Sequence, residues 1–357
     1  MTNPFDPIAL GSLRLNNRFV RSATHDYFGN PDGTLSDREI GILDELARNK
    51  VGTIITALMS VSENGISEIN QNRIDDDHFI DRLSILCQSV HQHDTKLIVQ
   101  LCHAGVKALI SDDFPIPCGP SFLPLKDGHY AKALDTFEID KIVEDFANAA
   151  LRAKKAGADG VQVHGAHGYL LSQFLSPYEN KRDDDYGGSA ENRFRIIKRI
   201  ILKIQAVCGL DYPILIKLNS NLVRGDNTLE GENLNYLSDL KQWIKTLSSL
   251  DVCAVELSGT GFSQFSTLSG PYFLEFAKEI RKHSTIPLIL VGGIKSISDI
   301  QTILDSGIEL VSMSRAFISD PDLLNQFESG KTKASCTSCN QCFNLPDTKN
   351  KRCIFDR

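Results

Sequence analysis

The stretch EIDKIVEDFANAALRAKKAGADGVQVHG, residues 138–165, contains one complete folding unit. Ile139, Ile142, Val143 and Phe146 recur at helical spacing, which predicts a helix over 138–156. Gly157 follows directly, where a helix reverses through positive φ. A short β-branched run then predicts a strand over 160–165. Helix, glycine and strand repeat in this order along the chain. Strands are expected at 19–24, 52–58, 96–101, 160–165, 213–219, 252–259, 287–293 and 310–315. Helices are expected at 36–49, 79–93, 138–156, 190–207, 233–249, 272–283 and 296–305, with a short one at 321–328. Ser296 and Asp320 are read as N-caps, the latter with Pro321 at the first helical position. Runs such as 214–218 and 288–291 are apolar on both faces, as in a parallel sheet covered on both sides. Eight βα units read as one α/β domain, a (β/α)8 TIM barrel over 1–328 with a Cys-containing tail over 329–357. A doubly wound open sheet is the alternative.

A barrel places its chemistry at the C-terminal ends of its strands. The unusual polar residues fall there: Thr24, His25, Gln100, His164, His167, Lys217, Gly292, Gly293 and Arg315. The chain has 357 residues, 41% apolar and 23% charged, which suits a packed core. Its 38 Lys and Arg against 45 Asp and Glu leave a formal charge of −7. That balance argues against nucleic acid or an anionic membrane as partner. No apolar run approaches the length of a membrane span, and no signal peptide is read, so the expected location is cytoplasmic. Self-association into a homo-oligomer is left open.

Nine cysteines are present. Cys87, Cys102, Cys118, Cys208 and Cys253 lie in apolar or helical surroundings and read as core residues. Cys336, Cys339, Cys342 and Cys353 cluster near the C-terminus, where a cytosolic setting suggests metal rather than disulfides.

The segment His164-Gly165-Ala166-His167-Gly168-Tyr169 follows a strand and admits three readings. The histidines could be a zinc pair, loop residues satisfied by backbone carbonyls, or N–H donors aimed at a substrate oxygen with Tyr169 as proton donor. The charged segment 180–193 reads as a loop clamped by Arg–carboxylate pairs before a helix that starts at Ser189. Gly292 and Gly293 let backbone approach an anion, and Arg315 one strand later makes this a phosphate site.

These segments resemble the Old Yellow Enzyme family of NADH:flavin oxidoreductases. The resemblance rests on Asn17–Thr24, Gln100–Gly105, Gly119–Ser121, His164–Leu170, Asp185–Ser189 with Glu191–Arg193, and Ser314-Arg315 with Asp320-Pro321. It runs in order from Pro4 to Phe327, and its style is that of the barrel domain of dienoyl-CoA reductase-like members. It implies an FMN-containing ene-reductase with NADH or NADPH as co-substrate. The substrate would be a small α,β-unsaturated carbonyl compound, free or as a thioester. Hydride would pass from FMN N5 to the β-carbon, with His164 and His167 bonding the carbonyl oxygen and Tyr169 protonating the α-carbon. The resemblance assigns Gln100 to the flavin pyrimidine edge and Lys217 to N1 and O2. Gly292, Gly293, Ser314 and Arg315 would hold the phosphate. Ser22, Ala23, Thr24, Ala57 and Leu58 would border the ring. The best register puts His25 beside the C4 oxygen; a shift of one puts Thr24 there.

Two other functions stay open, a flavin-bound redox sensor or carrier, and an amine-oxidising relative of trimethylamine dehydrogenase. Longer relatives carry a four-cysteine iron–sulfur site after the barrel and then two nucleotide-binding domains. The motif at Cys336, Cys339, Cys342 and Cys353 resembles that site, one residue short between the second and third cysteines, and the chain stops at Arg357 without those domains. A [4Fe–4S] cluster, tetrahedral zinc and free thiols are the alternatives here.

Overall fold

The computed structural model describes residues 2–114, 116–265, 270–343 and 353–355. Eight parallel strands close into a barrel: β1 (Phe19–Arg21), β2 (Thr53–Ile55), β3 (Lys96–Cys102), β4 (Gly160–Gly165), β5 (Ile214–Asn219), β6 (Ala254–Ser258), β7 (Leu288–Val291) and β8 (Leu310–Met313). They pair in chain order, and β8 pairs with β1 to close the ring. The open-sheet alternative is thereby excluded. The helices are α1 (Asp37–Arg48), α2 (Ile80–His91), α3 (Thr136–Ala156), α4 (Leu170–Leu175), α5 (Ala190–Cys208), α6 (Gly231–Ser249), α7 (Leu274–Arg281), α8 (Ile297–Asp305), α9 (Arg315–Ser319) and α10 (Leu323–Glu328). None is long and apolar enough to cross a membrane among the described residues.

Side chains alternate across each strand and so divide the interior in two. Phe19, Ile54, Leu97, Val161, Ile216, Val255 and Leu288 face the helices. Val20, Ile55, Ile98, Leu215, Ala254, Ile289 and Leu310 meet inside one end of the barrel. Leu10, Leu13 and Leu15, from an antiparallel hairpin of Ile8–Leu10 and Leu13–Leu15, belong to this inner cluster and close that end. Three-residue strands carry too little periodicity to be read from sequence.

Several expected strands extend beyond the observed ones at their C-terminal ends. Ser22–Thr24, Thr56–Leu58, Gly292–Gly293 and Ser314–Arg315 leave the ladder, and most of them turn into the open end of the barrel. Helix α3 begins at Thr136, two residues before the first expected helical position, because Asp135 and Glu138 form a reciprocal capping box. Gly157 ends it at φ 97°. Ser189 and Ser296 cap α5 and α8 as expected. Asp320 does not cap the last helix, which starts at Leu323. Its carboxylate instead accepts from Ser335 N (2.8 Å), Ser335 Oγ (2.6 Å) and Lys331 Nζ (2.8 Å). It therefore ties the tail to the barrel rather than a helix end. The tail also pairs with the β7–α8 turn through Ala334 N to Lys295 O (2.8 Å). Of the five scattered cysteines, four are buried and Cys253 is half-buried.

Candidate active site

The open end of the barrel holds a cavity of about 300 Å3. Ser22, Ala23, Thr24, His25, Leu58, Gln100, His164, His167, Tyr169, Lys217, Gly292, Gly293, Ser314 and Arg315 all line it. Ala57 does not; it is buried, and its carbonyl accepts the Thr56 hydroxyl at 2.8 Å. Tyr27, Ser258, Phe262, Phe273, Lys295 and Ser338 also line the cavity and were missed. Each is a single side chain delivered by a loop or strand end, without a sequence pattern of its own.

One end of the cavity suits a phosphate. Gly292 and Gly293 have φ of 118° and 78°. A Cβ on Gly293 would lie 2.2 Å from Gly270 O and 2.5 Å from Tyr272 Cε1, so only glycine fits. Two cations stand here on neutral partners. Lys295 Nζ donates to Ser338 Oγ (3.1 Å), and Arg315 donates to Asn340 Oδ1 (2.6 Å) and Tyr272 OH (3.4 Å). Their charges are not cancelled by these contacts, which favours an anion beside them.

The floor is polar and fully buried. Gln100, Lys217 and Ser22 rise from it, each at most 3% exposed. Thr24 turns its hydroxyl into the wall, where it meets Arg21, Ser314 Oγ (2.7 Å) and Ser22 O (3.0 Å). His25 packs against Tyr27 with ring centroids 4.1 Å apart and the planes tilted by 35°.

The opposite side carries the β4 segment. The ring centroids of His164 and His167 are 5.1 Å apart, and those of His164 and Tyr169 5.2 Å. Burial first, then the neighbouring charges of Lys217 and Lys107, holds the His167 pKa down to about 3. Burial, then His167 and Lys217, puts His164 well below the usual histidine range. Both rings are neutral at pH 7, and each offers one N–H. His164 Nδ1 is buried with no hydrogen-bond partner among the described residues. His167 Nε2 bonds Ser258 Oγ at 2.8 Å. Burial raises the Tyr169 pKa, so its phenol stays protonated. His167 itself sits at φ 62°, a conformation rare outside glycine. Asn219 Oδ1 on its N–H (3.1 Å) and Lys107 Nζ on its carbonyl (2.7 Å) hold it there.

The loop before α5 is clamped as its charges suggest: Arg182 bonds Asp184 through Nε and Nη2, and Arg193 reaches Asp239 at 2.7 Å. The zinc reading of the histidines finds no third ligand among the described residues. Cys336, Cys339, Cys342 and Cys353 line a second, small cavity next to Arg315. Among the described residues no three His, Cys, Asp or Glu side chains are placed to share a metal ion.

The pattern of the NADH:flavin oxidoreductase / NADH oxidase family matches residues 4–334. The chain is 34% identical to an NADH oxidase of Thermoanaerobacter brockii over 95% of its own length and 53% of the relative's. Its structure is similar to 2-naphthoyl-CoA reductase in complex with 2-naphthoyl-CoA, with TM-score 0.85, 25% identity, and coverage of 95% of this chain and 54% of that one. It is also similar to morphinone reductase in complex with tetrahydroNAD, with TM-score 0.78, 26% identity, and coverage of 95% and 94%. The chain thus spans about half the length of the first two and nearly all of the third. With a closed barrel, a cavity end lined by glycines and two cations, and paired histidines all inside the matched segment, the chain belongs to the NADH:flavin oxidoreductase / NADH oxidase family.

Proposed function

We propose that this chain binds FMN in the barrel mouth and uses NADH or NADPH to reduce the activated C=C bond of α,β-unsaturated carbonyl compounds. The observation that carries this is the pairing of two neutral imidazoles, one buried and one half-buried, with a protonated phenol, across the cavity from two cations on neutral partners. The residues fit FMN. The Gly293 cradle excludes a Cβ, and Lys295 and Arg315 stand beside it for a phosphate. His25 is the residue for the C4 oxygen, since the Thr24 hydroxyl is committed to the wall. FMN held there would supply the hydride that adds to the β-carbon. Negative charge then develops on the carbonyl oxygen, where N–H donors fixed in a water-poor site stabilise it most. His164 and His167 are these donors. Tyr169 gives its hydroxyl proton to the α-carbon. A carbonyl suits this donor pair better than an amine, whose nitrogen develops no such anion. The tetrahydroNAD complex of morphinone reductase supports a nicotinamide visiting the same cavity. The naphthoyl-CoA complex brings aryl and acyl thioesters into the substrate class.

Protein incubated with FMN and freed of excess should show flavin absorbance and oxidise NADH or NADPH faster once 2-cyclohexenone is added. A protein that stays colourless in excess FMN overturns the proposal. Tyr169→Phe should slow reoxidation by the enone at least tenfold and leave reduction by NAD(P)H within a factor of two or so, as expected for loss of a general acid. Stopped-flow measurement of the two half-reactions decides this, and the reverse pattern removes the proton-donor role.

A further inference from the structure

Glu256 lies in the middle of β6, flanked by Val255 and Leu257, and has no exposed surface. The flavin chemistry proposed above gives its carboxylate no role. Its surroundings are nonetheless built with care. Oε1 accepts from Ser22 Oγ (2.9 Å) and Ser312 Oγ (2.8 Å), and Lys217 Nζ stands 3.3 Å away. Oε2 accepts from Gln162 Nε2 (2.8 Å). Gln162 Oε1 in turn accepts from Gln100 Nε2 (2.7 Å). Lys217 Nζ also donates to Ser22 Oγ (2.8 Å). The strand registers explain the convergence: Lys217 is opposite Glu256, and Gln162 is opposite Gln100.

We infer that Glu256 is the positioning residue that sets both the charge and the hydrogen-bond direction of the cavity floor. This rests on the FMN reading above. Two physical consequences carry it. A carboxylate is an acceptor only, so Gln162 must turn its NH2 toward Glu256 and its carbonyl oxygen toward Gln100. Gln100 must then spend an N–H on Gln162, and its own carbonyl oxygen is left to accept from the pyrimidine edge of a flavin, which carries an N–H between two carbonyls. The orientation of an amide that lines the cavity is thus dictated two side chains away. The second consequence is electrostatic. Lys217 is 3% exposed, and Glu256 is its anionic partner. A flavin gains negative charge when reduced, and a cation at the floor favours that change. Glu256 offsets part of this cation, so it holds the flavin potential below the value Lys217 alone would set.

The test is the equilibrium between oxidised and reduced FMN on the loaded protein, measured against a reference dye. Glu256→Gln should shift that equilibrium toward reduced FMN at least tenfold, about 30 mV for a two-electron couple. Glu256→Asp, which keeps the charge, should stay within threefold of the parent. An unshifted equilibrium in Glu256→Gln overturns the inference, because a purely structural residue would alter stability without moving the potential. Removing one member of a buried ion pair can prevent folding. In that event Gln162→Met, which keeps the Lys217–Glu256 pair but cuts the link from Glu256 to Gln100, is compared with the parent, and its FMN affinity should fall at least tenfold. Unchanged FMN affinity in Gln162→Met overturns the inference. A parent protein that takes up no FMN overturns the function proposed above, whereas FMN uptake with potentials insensitive to Glu256 overturns this inference alone.

Discussion

Replacing His164 and His167 together by alanine should lower enone turnover by about 10³-fold or more while FMN stays bound. Loss of one fixed donor to a developing oxyanion typically costs about 10²–10³ in rate. The two losses will not simply multiply, since both rings address one oxygen. FMN should remain, because the anion end of the cavity is formed by other elements: Gly293, Lys295 and Arg315. One complication has a structural remedy. His167 adopts φ 62°, where alanine is strained. Asparagine tolerates that conformation and keeps an N–H donor, so His167→Asn alone should hold turnover within about tenfold of the parent while His167→Ala falls further. Steady-state turnover of 2-cyclohexenone, with flavin absorbance as the control, separates these outcomes. Parental turnover in the double variant would remove the donor assignment altogether.

The same residues show what the sequence can and cannot carry. The barrel was legible because the strands are short, largely apolar runs and the helices between them are periodic, signals that reside within about a dozen neighbouring residues. Residues at strand ends were legible for a related reason: a polar residue that ends an apolar run has few places to go. His164, Gln100 and Lys217 were found in this way. Glu256 gives the same signal as Lys217, a lone charge inside an apolar run, and could have been found by the same argument. Lys295, Ser338 and Tyr27 could not, since loops bring them to the cavity and nothing local marks their destination. Asp320 shows the opposite failure. Its neighbour Pro321 fits a helix start, but the tail, distant by fifteen residues at Ser335, competes for the carboxylate and wins with two hydrogen bonds. Ala57 was placed at the ring by resemblance, yet only Leu58 of that pair reaches the cavity. The four tail cysteines, grouped by their spacing in the sequence, line one small cavity.

Acid should unfold this protein by a route that runs through its buried histidines. His103 is 1% exposed, His164 2%, and His167 is half-buried in the cavity wall, and burial is the leading cause of their lowered pKa values. His103 and His167 both fall to about 3. In the unfolded chain each regains its ordinary value near 6.5. Between these limits the unfolded state binds a proton at each site that the folded state refuses. Stability is therefore fully present above about pH 6.5 and is lost as pH falls toward 3. Glu39 opposes this. Burial and Asp26 raise its pKa well above the usual carboxylate range, so the folded state carries a proton there that the unfolded chain has released. His103 and His167 each account for about one proton taken up on unfolding, roughly 1.4 kcal/mol lost per pH unit apiece between about pH 6 and pH 5, with His164 acting in the same direction and Glu39 in the opposite one. His103 isolates the effect, since it does not line the cavity and its Nδ1 accepts only the Gly105 N–H at 3.0 Å. Asparagine can present an oxygen to that N–H without taking a proton. His103→Asn should thus flatten the pH dependence by about one proton, roughly 1.4 kcal/mol per pH unit, even where the substitution itself lowers stability at pH 7. Urea unfolding at pH 6 and pH 5, with FMN at the same excess throughout, measures both slopes, and the difference between parent and variant cancels every titration they share. If the two slopes coincide, the buried imidazole of His103 is not refusing its proton, and the neutral state assigned by the same physics to His164 and His167 loses its support.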